Sequence, residues 1–299
     1  METDQLYHTY KPLLFSLAYR MMGSVMDAED IVQEAFLSFS EASAADQILN
    51  KKAYLCKIVT NRCLDLLRSS AKKRELYVGP WLPEPIVGGR DRMDGSGEAN
   101  DPSRSYLRKE AMSTAYLLLL HQLTAVERAV FLLREVFEYE YDEIAAIVGK
   151  SSPNCRQIFH RAKRSIGQYP EDRAELNVRK EVQVEQFAAF LASGNVTKLL
   201  QLLAPDAVLL SDGGGKVKAP LRPIFTAERI CRFFDGLWKK ATAGLSYRLL
   251  LINNEPGMIA QSDGYKSAWT FQYQGDRISH IYLVVNPEKL AHIPFDENK

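Results

Sequence analysis

The stretch LTAVERAVFLLREVFEYEYDEIAAIVGKSSPNCRQIFHRAKRSI, residues 123–166, decides the fold of the middle of the chain. Thr124-Ala125-Val126-Glu127 is a capping box, in which the threonine hydroxyl accepts from an otherwise orphaned N–H and the glutamate reaches back, so a helix starts there. Val126, Val130, Leu133 and Phe137 recur at the spacing of one buried helical face. Ile144, Ile147 and Val148 mark a second, short helix, which Gly149 stops because glycine takes the left-handed conformation without a Cβ clash. Ser152 at the N-cap and Pro153 at the first helical position then start a third.

That third helix has two faces. Cys155, Ile158, Phe159, Ala162 and Ile166 fall on one side, and Asn154, Arg156, Gln157, His160, Arg161, Lys163 and Arg164 on the other. No acidic residue stands between Lys150 and Arg164. Two helices joined by a glycine-containing turn, the second rich in guanidinium and amide groups near its start, match a major-groove helix-turn-helix. Arg156 and Gln157 suit base edges, because arginine can donate twice to guanine and glutamine can pair with adenine; Arg161, Lys163 and Arg164 suit phosphates. An ordinary surface helix with a solvated basic face is the alternative. The formal net charge of the chain is +1, so any affinity for DNA has to come from such local patches.

With 299 residues, 46% of them hydrophobic, the chain is long enough for two or three domains. The opening METDQLYHTYKPLLFS lacks the basic start and apolar core of a signal peptide, and no apolar run reaches membrane-spanning length. The expectation is a cytoplasmic protein with no membrane association. Cys56, Cys63, Cys155 and Cys231 form no Cys-x-x-Cys pair, so neither a zinc site nor a disulfide framework is expected. No other metal and no cofactor is expected either.

Residues 1–70 read as helical. Pro12 breaks or starts a helix with an apolar stripe of Leu14, Leu17, Ala18 and Met21, and Gly23 ends it. Ser24 caps the next, which runs to about Phe39 with Ala28, Ile31, Val32, Ala35 and Phe39 inward. Asp27, Asp30, Gln33, Glu34 and Leu37 form its outer face, of a kind that docks a partner helix. A third helix buries Leu55, Ile58, Val59 and Leu66 and exposes Lys51, Lys52, Lys57, Asn61 and Arg62. Residues 71–108 read as a linker, with the DGSGEAND stretch too polar to offset its ordering entropy by burial. Inside it, PWLPEP at 80–85 is a stiff extended segment whose Trp81, Leu82 and Pro83 suit an apolar groove; a loose surface tryptophan is the alternative.

DAEDIVQEAF at 27–36, YLCKIVTNRCLDLLR at 54–68 and then the helix-turn-helix, in that order, resemble a bacterial sigma factor of the extracytoplasmic-function type. The resemblance covers about residues 5–168. It implies that Asp30, Gln33, Glu34 and Leu37 bind the β′ clamp of core RNA polymerase. It also implies that the Ser43 to Asn50 loop with Lys52, Lys57, Asn61 and Arg62 opens the promoter −10 element and holds a flipped base, as basic residues around a single strand would. The helix at 152–166, within a second sigma domain at 109–170 that meets the β flap, would read the −35 element. Members of this family usually carry tryptophan where this chain has Tyr54. Asp65 and Arg68 match the family pattern, and an i,i+3 ion pair accounts for them equally.

From 175 to 292 the character changes. Stripes at Val178, Val182, Phe187 and Leu191 and at Leu199, Leu200 and Leu203 precede AVLLSDGGGKV, a glycine-rich turn between two candidate strands. A helix capped by Thr226 carries Ile230, Phe233, Phe234, Leu237 and Trp238. Strands are expected at Leu245–Ile252, Met258–Ser262, Tyr265–Tyr273 and Arg277–Val285, with turns at Pro256-Gly257, Asp263-Gly264 and Gly275-Asp276. Helices first and an antiparallel meander last make an α+β domain. The expected architecture is therefore multidomain: two all-α sigma domains, the second a helix-turn-helix, followed by the α+β domain.

WLPEP, DGGGK at 212–216 and NPEKL at 286–290 resemble the sigma subgroup with a SnoaL-like C-terminal extension. On that reading Trp81, Leu82, Pro83, Asp212, Lys216, Asn286, Pro287 and Leu290 are docking residues within the chain, and the extension tunes activity. SnoaL-like cones include enzymes, so Asp212, Tyr265, Trp269, His280 and Tyr282 are weighed as the lining of a pocket for a small hydrophobic ligand. No paired acid and base follows from their spacing, and no catalytic residue is assigned. DGGGK lacks the spacing and the following hydroxyl of a phosphate loop. Two other readings stay open: a helix-turn-helix regulator that does not bind polymerase, and an enzyme acting through the cone.

Overall fold

The computed structural model describes residues 2–41, 48, 50–69, 76–88, 113–167 and 174–295. Contacts divide the chain into two compact units: 1–75 with 98–110 and 116–170, and 76–97 with 111–115 and 171–299. The DGSGEAND stretch and most of the Ser43 to Asn50 loop lie outside the described residues.

The first unit is helical. Helix α1 (Glu2–Met22) continues through Pro12 instead of breaking there. Proline removes one backbone donor and crowds the preceding turn, but Pro12 is buried and flanked by Leu13, Leu14, Leu17 and Ala18, whose packing holds the helix together. Gly23 (φ +71) closes it, with its N–H on the Tyr19 carbonyl at 2.6 Å. Helix α2 (Val25–Glu41) is capped by Ser24, whose Oγ accepts from the Asp27 N–H at 3.2 Å. Helix α3 (Lys51–Ser69) buries Leu55, Cys56, Val59, Thr60, Cys63, Leu64 and Leu67. Leu66, expected inside, is 36% exposed. The inward row runs through Cys63 and Leu67, and Leu66 lies a hundred degrees from Leu67 on a 3.6-residue helix.

Helix α4 (Thr114–Gln122) leads to α5 (Ala125–Phe131), where the Thr124–Glu127 capping box forms as expected. The chain then passes through a π-helical turn (Leu132–Val136) into α6 (Tyr141–Val148) and α7 (Ser152–Ile166). Gly149 ends α6 in the left-handed conformation. Ser151, not Ser152, holds the N-cap position of α7 and makes no side-chain cap bond. A second capping box, Glu140 with Glu143, starts α6.

The second unit is α+β. Its seven-stranded sheet has the order β1-β4-β5-β6-β7-β2-β3. Those strands are β1 (Val87–Gly88), β2 (Leu203–Asp212), β3 (Ile224–Phe225), β4 (Ser246–Ile252), β5 (Glu255–Ser262), β6 (Tyr265–Gln274) and β7 (Arg277–Val284). β4 to β7 form the expected antiparallel meander, while β2 joins β7 in parallel, which makes the sheet mixed. Helices α8 (Ala174–Ala192), α9 (Val196–Leu202) and α10 (Ala227–Trp238) supply its other layer. Phe187 lies at the centre of that core, with ring centroids 4.9 Å from Phe271, 5.9 Å from Trp269 and 6.1 Å from Phe234. Each such pair adds roughly 0.5–1.5 kcal/mol beyond burial.

Four details depart from expectation. Val182 is 50% exposed and Leu200 39%; Val184, Phe187, Ala188 and Leu199 face inward instead. The DGGGK turn leads into an irregular segment, and the following strand is only Ile224–Phe225. Thr226 precedes α10 at φ +74 with no side-chain cap bond. Pro256 and Gly257 lie inside β5, and the turn falls at Asn253-Asn254, both with positive φ (51° and 64°). Two consecutive left-handed residues are what a tight hairpin turn needs, and asparagine tolerates them.

Candidate nucleic-acid interface

Helix α7 sorts its side chains cleanly. Cys155, Ile158, Phe159, Ala162 and Ile166 are buried, while Asn154, Arg156, Gln157, His160, Arg161, Lys163 and Arg164 are all exposed. The inward row packs on α5, with Phe159 stacked 6.0 Å from Phe131. The Arg156 guanidinium stands 5.2 Å from the Tyr141 ring centre, an arrangement that orders its long stem without covering its donors. Lys163 donates to Glu135 at 2.8 Å, so that cation is shared between a carboxylate and any phosphate.

In the first two sigma-like helices the outer residues lie as expected. Asp30, Gln33 and Glu34 are exposed, and Leu37 is 62% exposed. Lys57, Asn61 and Arg62 are exposed on α3, with Arg62 3.6 Å from Glu34. Lys52 differs: it is half-buried, its ammonium 5.6 Å from the ring centre of Tyr139. Burial pushes the pKa of the Cys56 thiol, on the same helix, up to about 11. Asp65 and Arg68 form the simple i,i+3 pair at 3.3 Å.

The remaining residues singled out from the sequence gather in the second unit around Asp212, which is fully buried. Its carboxylate accepts from the Tyr77 hydroxyl at 2.5 Å, the Leu82 N–H at 2.8 Å and the Lys289 ammonium at 2.7 Å. Lys289 also donates to the Leu82 carbonyl and lies 4.5 Å from the Trp81 ring centre and 5.1 Å from that of Tyr77. Burial lowers the Lys289 pKa and the adjoining carboxylate opposes that shift. Burial and the same carboxylate raise the Tyr77 phenol, keeping it a donor. Asn286 donates to the Tyr77 oxygen at 3.2 Å, and a Cβ on Gly214 (φ +56) would lie 2.3 Å from the Asn286 amide nitrogen. Pro83 and Leu290 are buried and Trp81 half-buried. Lys216 pairs at the surface with Glu288 at 2.9 Å, and Pro287 is exposed, so neither belongs to the buried cluster.

Sigma-70 region 2 matches residues 6–73 and sigma-70 region 4 matches 113–166. Over its full length the chain is 31% identical to ECF RNA polymerase sigma factor SigJ of Mycobacterium tuberculosis, covering 96% of that protein. The chain belongs to the extracytoplasmic-function sigma factors. The crystal structure of M. tuberculosis SigJ superposes on 98% of this sigma factor and all of that chain, with a TM-score of 0.77 and 27% identity. A probable sigma factor of the same organism, SigI, is 31% identical over 67% of this chain and 66% of that protein. The sigma factor therefore directs core RNA polymerase to promoter DNA for transcription initiation, and its family is one of non-catalytic transcription factors.

The residues weighed as a pocket in the sigma factor's C-terminal unit are not brought together. Trp269 faces the aromatic core, with its indole N–H on Ser267 at 2.8 Å. Thr270 pairs with Tyr282 and Trp269 with Leu283, so His280 and Tyr282 project from the opposite face of the sheet. Tyr265 is 64% exposed, and Asp212 is committed to the linker. Sequence reading missed Lys289, Tyr77 and Asn253. The Asn253-Asn254 pair was the one usable signal, as a turn dipeptide. It also missed Arg128, which is 2% exposed. Its guanidinium donates to the carbonyls of Leu120 (2.8 Å), Leu123 (3.3 Å) and Met21, the closing ends of α4 and α1.

Proposed function

We propose that the sigma factor grips polymerase and promoter through separate faces. Asp30, Gln33, Glu34 and Leu37 dock on the β′ clamp, and the region 4 helices meet the β flap. Lys57, Asn61 and Arg62 engage the −10 element. Lys52 joins them once α3 parts from Tyr139, since its ammonium lies on that ring. Arg156 and Gln157 read −35 base edges, and Asn154, His160, Arg161, Lys163 and Arg164 hold the flanking backbone. The C-terminal unit tunes activity by holding the linker through Asp212. Core polymerase and chromosome place this work in the cytoplasm.

The observation that carries this reading is the division of α7 into a fully buried apolar row and a fully exposed polar one, at the end of a helix-turn-helix. Glu34→Lys tests the separation of the faces. The variant is expected to lose co-purification with core enzyme while its duplex affinity stays within about twofold, since a rim charge acts through its own partner. Equal loss of both activities, or of neither, contradicts separate faces.

A further inference from the structure

Asn253 holds two distant points of the chain with one side chain. Its Oδ1 accepts from the Ile86 N–H at 2.9 Å, and its Nδ2 donates to the Thr114 hydroxyl at 3.1 Å. The Asn253 N–H also donates to the Ile86 carbonyl at 2.9 Å. Thr114 receives a further bond from Thr270 Oγ1 at 2.8 Å. Asn253 is 3% exposed, Thr114 4% and Thr270 5%. Val87 and Gly88 continue the hold as β1 against Ile252 and Leu251. Ile86 and Thr114 are nevertheless twenty-eight residues apart in the chain.

Thr114 opens the first helix of region 4, and Ile86 ends the linker segment that follows region 2. As a free coil, a chain of twenty-eight steps would spread their ends by about 26–32 Å, at 5–6 Å times the square root of residue number. Hydrogen bonds to one amide abolish that spread. The other end of the linker is held at Tyr77 and Leu82 by Asp212. The chain left to connect region 2 to this anchorage runs from Ser69 to Tyr77, at most about 26–29 Å when fully extended.

We infer that Asn253 is a positioning residue that fixes the reach between the −10-reading and −35-reading helices, making tolerance of promoter spacer length a property of the C-terminal unit. This rests on the sigma reading above and deepens it. Each base pair added between the two elements displaces one from the other by about 3.4 Å along the duplex and by about a tenth of a helical turn. A tether of eight residues follows such changes poorly. With Thr114 released, Asp212 and β1 still hold the linker as far as Gly88, but the chain from Gly88 to Thr114 is added to the tether, which then follows them better, because effective concentration falls only gradually once a linker exceeds the span it must bridge.

The test is in vitro transcription with core RNA polymerase on a promoter selected by the wild-type protein from a random pool, its spacer then altered by −2 to +2 base pairs. Asn253→Gly keeps the left-handed turn and removes both side-chain bonds; Thr114→Val removes the hydroxyl from the other partner. Wild type is expected to favour its optimal spacer about tenfold over the ±2 templates, and each variant less than about threefold. A variant that fails to melt cooperatively is set aside, and the other decides. Unchanged spacer profiles in folded variants overturn the inference. So does an equal rise or fall at every spacer length, which would make the contact a brake and not a ruler. Absence of wild-type transcription at every spacing would instead overturn the sigma reading.

Discussion

Asp212 and Lys289 are the charged pair on which the linker rests. The carboxylate is fully buried and the lysine 7% exposed, so neither charge is solvated on its own. Removing one partner of such a pair leaves the other buried and uncompensated, typically at about 3–5 kcal/mol. Lys289→Met is expected to destabilise the second unit by about that much, read as a lower urea midpoint at unchanged slope. Asp212→Asn with Lys289→Met should recover more than half of the loss; no recovery would mean that packing of the lysine stem, not charge pairing, dominates.

His280 supplies the acid response. Burial lowers its pKa below 6.5, with Asp206 opposing. The unfolded chain therefore binds more protons below pH 6.5, and stability present above that pH declines as acidity increases toward the folded pKa. His280→Gln should flatten this decline in melting temperature between pH 7 and 5; an identical slope in the variant would remove His280 as its source. At this scale Asp212, Leu82 and Asn286 were legible because they stand in compact motifs. Tyr77 and Asn253 stand in no such motif and acquire their roles from partners 135 and 167 residues away; Lys289 stands in NPEKL, but local spacing does not say that its ammonium meets Asp212.

Among the elements, α7 was legible almost entirely, because its amphipathic period and its lack of acids both lie within fifteen residues. Arg156→Ala is expected to relax preference at one −35 position by about 1–3 kcal/mol. Arg164→Ala should instead weaken all sequences alike and reduce the slope of log affinity against log salt by about one. Selection of bound duplexes at several salt concentrations distinguishes these; identical behaviour of the two variants would contradict the division into base-reading and phosphate-holding residues. The π-helical turn at Leu132–Val136 was not legible, since the stripe through Val130, Leu133 and Phe137 fits an uninterrupted helix equally well. The linker was legible only in part. Prolines around Trp81 and Leu82 pointed to a groove, but composition does not encode the charged part of the seat, Asp212 with Lys289. Within the first unit, Arg128→Met strips three helix-terminal carbonyls of a charged donor. Hydrogen bonds to charged groups contribute about 1.5–3 kcal/mol each, so a substantial fall in the stability of this unit is expected by denaturant unfolding. Wild-type stability in the variant would show that water replaces the guanidinium.

For the molecule as a whole, the order of its parts was readable because two stretches of helical period are separated by a polar, proline- and glycine-rich linker and followed by a stretch of strand period. The mixed sheet was not: the parallel pairing of β2 with β7 joins strands separated by α10 and the meander, and no local pattern specifies it. Function depends on that order, because a polymerase-binding face and two DNA-reading helices must act on one promoter at once. The most direct measurement is transcription from a random promoter pool by core RNA polymerase with wild type, Asn61→Ala or Arg156→Ala, followed by sequencing of the productive templates. The wild type should enrich two separated elements; Asn61→Ala should blur only the downstream one and Arg156→Ala only the upstream one. Enrichment of a single bound site without transcripts, or loss of both elements in either variant, would contradict the account.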